Sequence, residues 1–469
     1  MLKTDNKVTF ALFFGNRGFF PGELIASARE EMQKVLTKNG YGYIIMDEEL
    51  TRYGAVETIE EGKLYSEFLK KHEGEYDGVI ISLPNFGDEN GAVVALKDAG
   101  VPVLVQAYPD EAGKMDFSHR RDSLCGKIAM CNVLRQCGIK YSLTKNATVS
   151  PLSDEFADDL KNFAAVCRIY RKLKNFNIGA IGARTTAFKT VRIDEIAMQS
   201  MGINVETIDL SYVFDLMDNA DETLLKEKMK HYESITDFAT YPKEKLENIA
   251  RLGVAVDKII DEYNLQAVAI RCWNEFQTKY GIAVCLVLSD LNERGIPAAC
   301  ELDVNNAIMM YALQEASQEP VMLLDVNNNY NDDATKAIMF HCAAIPKSFY
   351  SSKTKIGEHL MFKKSFGEGS GVGIVNGDIC TGRATIGSFK TEDGNLHAFA
   401  ADVTLTDDKI EKEFFGCGIV AQSENMAEIL KYMLENGYRH HVAIAKGEWS
   451  WAVGEAMGKY LGYKAEIIK

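Results

Sequence analysis

A short apolar run followed by an amphipathic stretch, repeated along the first third of the chain, is the feature that most restricts its fold. Residues 8–14 (VTFALFF) lead into a helix-like segment, 21–39. Residues 42–47 (GYIIMD), 78–83 (GVIISL) and 101–105 (VPVLV) read as further strands, with a short helix over 91–98. Strands separated by helices at this spacing predict a parallel, doubly wound sheet, because parallel neighbours need a crossover connection. Sites in such sheets lie beyond the carboxyl ends of the strands, here the loops 15–21, 84–90 and 106–110.

A polar stretch, 146–159, and a basic run, 168–174, separate this pattern from a second one. The second opens at 177–182 (NIGAIG) and continues through 205–210 (VETIDL), 267–270 (AVAI), 296–300 (IPAAC) and 321–324 (VMLL). From about residue 346 the texture changes to Gly-rich, Thr-rich and β-branched segments, notably 367–373, 382–388 and 398–405. That texture predicts an antiparallel or barrel-like third part. Helices over 423–437 and 448–461 close the chain. The length, 469 residues, fits about three domains at roughly 150 residues each. The expected architecture is α/β with boundaries at 1–173, 174–345 and 346–469.

Composition narrows the function. The formal net charge is −15, which disfavours nucleic-acid and anionic-membrane binding, since both need a basic surface. No apolar run approaches the roughly 20 residues that span a bilayer. The run 8–14 reads as a buried strand and not as a signal peptide, because no small-residue cleavage site follows it. The ten cysteines contain no C-x-x-C pair and are scattered through apolar sequence. They read as buried free thiols in a reducing cytoplasm.

Two carboxylates stand directly after strand-like runs: Glu301 after IPAAC and Asp325 after VMLL. Acids at consecutive strand ends can share one divalent cation, and oxygen ligands suit Mn²⁺ or Mg²⁺. Asn305 and 327–329 lie just downstream, as ligand-positioning amides or as turn formers. Among eight histidines, the pair His440–His441 is the most suggestive, lying between a Gly-terminated helix and the apolar run 442–445. Adjacent strand residues point to opposite faces, so at most one of the pair is expected to face a shared metal. His341 closes another apolar run. The glycine string 367–373 does not match G-x-G-x-x-G, and neither a Walker lysine motif nor G-x-S-x-G occurs.

Several strings together resemble the L-fucose isomerase/L-arabinose isomerase family: 296–306 (IPAACELDVNN), 323–328 (LLDVNN), 340–342 (FHC) and 437–447 (GYRHHVAIAKG), supported by 120–127 (RRDSLCGK) and 271–281 (RCWNEFQTKYG). The resemblance implies two Rossmann-like doubly wound domains followed by a C-terminal domain with an antiparallel β-barrel and flanking helices. It implies a cytoplasmic metal-dependent aldose–ketose isomerase acting on an open-chain sugar through an enediol. Glu301 and Asp325 would be the catalytic acid/base pair and, with His441, the ligands of Mn²⁺ (alternatively Mg²⁺ or Co²⁺). His341 and His440 would be further ligands or partners of a ligand.

The resemblance also implies a homo-oligomer, a hexamer, with Arg17, Arg120 and Ser123 contacting a neighbour's site. Arg17, Arg184, Lys189, Trp273, Gln277 and Asn305 are the expected substrate contacts. Some relatives act on sulfonated sugars such as sulfoquinovose. Arg17, Arg184, Lys189, Arg192 and Arg271 would suit such an anion through charge-assisted hydrogen bonds. The chain is shorter than L-fucose isomerases, mostly beyond residue 346, so L-fucose, L-arabinose and sulfoquinovose all stand as substrates. The competing reading is a non-catalytic sugar-binding or sensor protein on the same scaffold.

Overall fold

The structure is a computed structural model and describes residues 7–342, 344–411 and 416–469. Backbone contacts divide the chain into two compact units, Met1–Arg171 and Lys172–Lys469. The fold is mixed α/β.

In the first unit the strands β1 (Thr9–Phe14), β2 (Gly42–Ile45), β3 (Gly78–Leu83), β4 (Val103–Ala107) and β5 (Ser142–Leu143) form one sheet in the order β2-β1-β3-β4-β5. Every pairing in it is parallel. The central strands are buried along nearly their whole length, which is why they read as continuous apolar runs and do not alternate. Two polar residues enter this interior as a pair, Ser82 Oγ donating to Gln106 Oε1 at 2.8 Å.

The second unit begins with another parallel sheet, in the order β7-β6-β8-β9, from β6 (Phe176–Ile181), β7 (Ile203–Ile208), β8 (Ala267–Ile270) and β9 (Ala298–Ala299). Its largest sheet is mixed and has seven strands: β10 (Met322–Tyr330), β11 (Asp333–His341), β14 (Gly382–Glu392), β15 (Asn395–Thr406), β16 (Cys417–Gln422), β17 (His441–Lys446) and β18 (Lys464–Ile468). The order is β14-β17-β10-β11-β16-β15-β18, and β14 also pairs with β15, so six strands are joined in a circuit. A small antiparallel pair, β12 (Lys355–Glu358) and β13 (Val372–Asn376), lies apart from it.

One expectation fails here. The run 321–324 was expected to continue the second parallel sheet, yet β10 joins the mixed sheet, antiparallel to β11 and β17. A short apolar run looks alike in either setting. The hairpin partner, not the run, decides the sheet.

The helix Val304–Ser317 joins the two sheets of this unit. It is buried on nearly every side and packs against β8 and β9 as well as β14 and β17. A helix apolar all round belongs in an interior. Gly387 of β14 allows the approach: a Cβ there would collide with Met309 Cε and stand 2.8 Å from the Phe399 carbonyl oxygen. The same helix carries Asp303 at its N-cap, next to the residues that matter below.

Candidate active site

β9 ends at Ala299, and the chain turns sharply. Glu301 and the next residue, Leu302, both take left-handed backbone conformations, with φ of 58° and 62°. For L-residues other than glycine this costs roughly 1–2 kcal/mol each. The turn is held by Leu302 N donating to Ile270 O (3.2 Å) and Asp303 N donating to Cys300 O (3.0 Å). Strain of this kind persists only where surrounding structure enforces it, and it clusters at functional sites.

The mixed sheet supplies the other groups by register. Asp325 of β10 is paired directly with His441 of β17 and, on its other side, with Phe340 of β11, one residue before His341. Directly opposed residues share a face, so Asp325 and His441 meet. His441 Nε2 lies 2.8 Å from Glu301 Oε2 and 3.4 Å from Asp325 Oδ1. His341 Nε2 is 4.0 Å from Glu301 Oε2, and His440 Nε2 is 4.0 Å from Asp325 Oδ1. His440 precedes the strand and is half-exposed, whereas His441 is fully buried. The strand-parity argument thus separates the two rings without removing His440 from reach of Asp325.

Glu301 Oε2, Asp325 Oδ1 and His441 Nε2 are buried, and none makes a hydrogen bond of acceptable geometry. Three buried polar atoms turned toward one another and unsatisfied is an arrangement that a divalent cation would satisfy. Among the described residues, Asp325, His440 and His441 form one candidate metal-binding group, and Cys300, Glu301 and His341 another.

Behind His441 stands a network that sequence reading missed. His441 Nδ1 lies 2.8 Å from Asp303 Oδ2, and Arg439 Nη1 donates to Asp303 Oδ1 at 2.7 Å. The Asn306 amide donates to Asp303 Oδ2 (2.7 Å) and to the His441 carbonyl (3.1 Å). Arg439 also donates to the carbonyls of Thr190 and Phe389. The Asp303 side chain caps its own helix by accepting from Asn306 N. Its second task, holding His441, depends on a strand more than 130 residues away and left no local signal.

The electrostatics follow from these contacts. Burial pushes the Asp303 carboxyl up, but Arg439 and His441 outweigh it and hold it at about 2. Burial likewise opposes the charge on His441, while Asp303 and Glu301 raise its pKa well above the ordinary value. Glu301, despite burial, is lowered by His441; Asp325 is raised, because burial exceeds the pull of His341 and His441. His440 is lowered by burial and by its neighbour His441.

Phe188, also unforeseen, packs beside the two histidines. Its ring centroid is 5.5 Å from those of Trp273 and His440 and 5.8 Å from that of His441. The expected substrate residues divide around it. Trp273 is in this group. Lys189 and Arg192 are exposed on the segment that follows Phe188, while Arg184 donates to the carbonyls of Thr185 and Thr186.

Asn305 holds that segment by donating to Arg192 O at 3.0 Å, and its own Oδ1 is buried without a hydrogen bond. Gln277 spends its amide N–H groups on the carbonyls of Cys272 and Ile282, so it pins backbone. Arg271 is engaged by Glu275 and the Ala183 carbonyl.

Arg17, Arg120 and Ser123 belong to the first unit. Arg17 pairs with Glu89 and lies 4.1 Å from the Phe86 ring centroid; Arg120 is forked onto Asp122; Ser123 is buried. Arg17 and Arg120 line a cavity of about 270 Å³ with Phe19, Phe20, Phe86 and Phe117. No helix among the described residues is long and apolar enough to cross a membrane.

Residues 11–174 match the N-terminal domain of the fucose/sulfoquinovose isomerase family, and residues 339–469 match the L-fucose isomerase C-terminal domain. Glu301 and Asp325 fall between the two matches; His341, His440 and His441 fall within the second. A sulfoquinovose isomerase from Alkalicoccus urumqiensis is 22% identical over 385 residues, covering 81% of this chain and 84% of its own. One from Priestia aryabhattai is 23% identical over 416 residues, covering 88% and 90%. Among solved structures, a periplasmic solute-binding protein from Actinobacillus succinogenes with bound D-allose overlaps with a TM-score of 0.18 and 11% identity, covering 67% of this chain and 93% of its own; so slight an overlap carries no argument. With both terminal domains matched, the chain belongs to the fucose/sulfoquinovose isomerase family of aldose–ketose isomerases.

Proposed function

We propose that the chain is a divalent-metal-dependent isomerase of a sulfonated aldose of the sulfoquinovose class, with its centre at Glu301, Asp325 and His441. The observation that carries this reading is the convergence of three buried, unsatisfied ligand atoms, one from each residue. His341 and His440 flank the set. When bound, the cation, Mn²⁺ in this reading, supplies Lewis-acid polarisation of the sugar carbonyl.

The protein's own groups then move the protons. Asp325 is the better base of the pair: it lies farther from His441 and burial raises its carboxyl, whereas His441 lowers that of Glu301. In this reading Asp325 takes the proton from C2 and returns it to C1, giving the enediol and then the ketose. Glu301 moves the hydroxyl proton between O1 and O2. Phe188 and Trp273 exclude water from the face where the enediol forms.

The sulfonated substrate is favoured over L-fucose by the names of the relatives and by the cations of the covering segment. Arg184, Lys189 and Arg192 surround Phe188 in sequence, and Phe188 touches the site. The reading includes a cytoplasmic homo-hexamer whose Arg17 and Arg120 face a neighbouring copy. It also takes the three-domain division at 173 and 345, and identifies the six-strand circuit as the family's barrel.

The test is a substrate panel. Metal-stripped protein is incubated with sulfoquinovose, L-fucose, L-arabinose and D-arabinose, with and without Mn²⁺, and ketose is followed by NMR. Turnover of sulfoquinovose only with metal is expected. Equal turnover without metal, or sugar binding with no turnover of any member, contradicts the proposal.

A further inference from the structure

Four thiols from four separate elements meet beside Glu301, and the isomerisation above uses none of them. Cys272 follows β8, Cys285 opens the helix Cys285–Glu293, Cys300 follows β9 and Cys342 follows β11. All four are free cysteines. The thiols perturb one another's protonation, Cys300 feeling Cys272 and Cys342, and Cys342 feeling Cys285. Cys342 Sγ lies 3.6 Å from His341 Nδ1. The Cys300 thiol, a Glu301 carboxylate oxygen and a His341 ring nitrogen all fall within 4.8 Å of one another.

A single buried cysteine is ordinarily a small apolar residue. Two thiols, Cys300 and Cys342, beside an imidazole and an unsatisfied buried carboxylate oxygen, with two more thiols behind them, are a ligand set. We propose that Cys300, Cys342 and His341 form a second metal subsite, for a thiophilic divalent cation of the Zn²⁺ type, which borrows Glu301 from the first centre.

Softness separates the two sites. Thiolate and imidazole favour Zn²⁺ and its heavier relatives, while carboxylate-rich sets take Mn²⁺ and Mg²⁺. The His341 ring lies close to both, its Nδ1 3.6 Å from Cys342 Sγ and its Nε2 4.0 Å from Glu301 Oε2, and it offers the soft cation one nitrogen only. Zn–S bonds of about 2.3 Å and Zn–N bonds of about 2.0 Å place tetrahedral ligands roughly 3.5 Å apart, so the Cys300, Glu301 and His341 ligand atoms, now within 4.8 Å of one another, draw together by about 1 Å on binding. Binding breaks two S–H bonds and forms two S–metal bonds; two protons leave to water and no oxidation state changes. Because Glu301 is shared, the soft cation weakens the hard centre and inhibits the enzyme.

The experiment titrates the metal-free full chain with Cd²⁺ and reads the thiolate-to-cadmium charge-transfer absorbance. One thiolate-bound Cd²⁺ per chain is expected. The band is lost in Cys300→Ser and in Cys342→Ser, while each variant still binds as much Mn²⁺ as wild type. X-ray absorption of wild-type protein with one Zn²⁺ is expected to show sulfur neighbours, which keeps the proposal testable if the variants fold poorly. Absence of the band at stoichiometric Cd²⁺, its survival in both variants, or an oxygen-only shell around Zn²⁺ overturns it. These readouts do not depend on turnover, so this subsite and the isomerase reading, on which only the inhibition rests, fail separately.

Discussion

The side chain of Asp303 lies 2.8 Å from His441 Nδ1, and this contact decides which nitrogen His441 presents to Glu301 and Asp325. A histidine ligand held from behind by a carboxylate has a fixed tautomer and ring orientation, and losing the partner typically lowers metal affinity 10–100-fold. Asp303→Asn is therefore expected to weaken Mn²⁺ binding by about that range, measured by titration of the stripped protein. The variant also loses stability. The Asp303 carboxyl is held at about 2 in the fold, below its ordinary value. Its contribution is thus present above the ordinary aspartate range and lost as pH falls toward 2. At neutral pH the loss should be on the order of 2 kcal/mol, shrinking as pH drops below about 4, read by denaturant unfolding.

Metal affinity should rise with pH. In the metal-free protein His441 is raised well above its ordinary pKa and His341 is pushed up to about 9 by Cys342, Asp325 and Glu301 against the opposing effect of burial. A cation must displace the proton it replaces, so apparent Mn²⁺ affinity is expected to climb about tenfold per pH unit where one proton is released. The same shifts stabilise the metal-free chain at low pH. Their contribution is complete below the ordinary histidine pKa and is lost as pH rises through about 9 and beyond. The melting temperature of stripped protein should fall between pH 7 and 10, and that of the Mn²⁺-loaded protein should fall less.

Phe188→Ala removes a ring that packs on Trp273, His440 and His441. Each aromatic contact is worth about 0.5–1.5 kcal/mol beyond area, and Phe188 is only half-buried. The fold should survive with a small change in melting temperature. The account predicts a kcat/KM loss of roughly tenfold or more and altered Trp273 fluorescence. An unchanged kcat/KM would remove Phe188 from the site.

Gly387→Ala tests how the helix Val304–Ser317 is seated. The added methyl meets Met309 and the Phe399 carbonyl oxygen, and overpacking of this kind costs typically 1–3 kcal/mol. The helix carries Asp303 at its N-cap, so Mn²⁺ affinity should fall together with thermal stability.

Much of this architecture is legible in the sequence. The apolar runs of β1, β3, β4, β6 and β8 are buried along both faces, and such strands announce themselves. Glu301 and Asp325 stand out by their places at strand ends and the HH pair by its flanks, while only the family resemblance favours His441 over His440; the structure brings Glu301, Asp325 and His441 together. What sequence could not show depended on long-range pairing. Whether 321–324 joins a parallel or a mixed sheet is decided by β11 and β17. Asp303 carries no local sign of its contact with His441, which arrives from the far end of the chain. Phe188 lies in a segment with no periodic signal, and the four cysteines are scattered in sequence because they converge from four different turns.

The central claim is that Glu301, Asp325 and His441 hold one divalent cation. Titrating the stripped protein with Mn²⁺, while the electron paramagnetic resonance signal of the free ion is followed, tests it most directly. The account predicts that wild type removes one Mn²⁺ per chain from solution, and that Glu301→Gln and Asp325→Asn each abolish that uptake while remaining folded by circular dichroism. Undiminished uptake by either variant would contradict it.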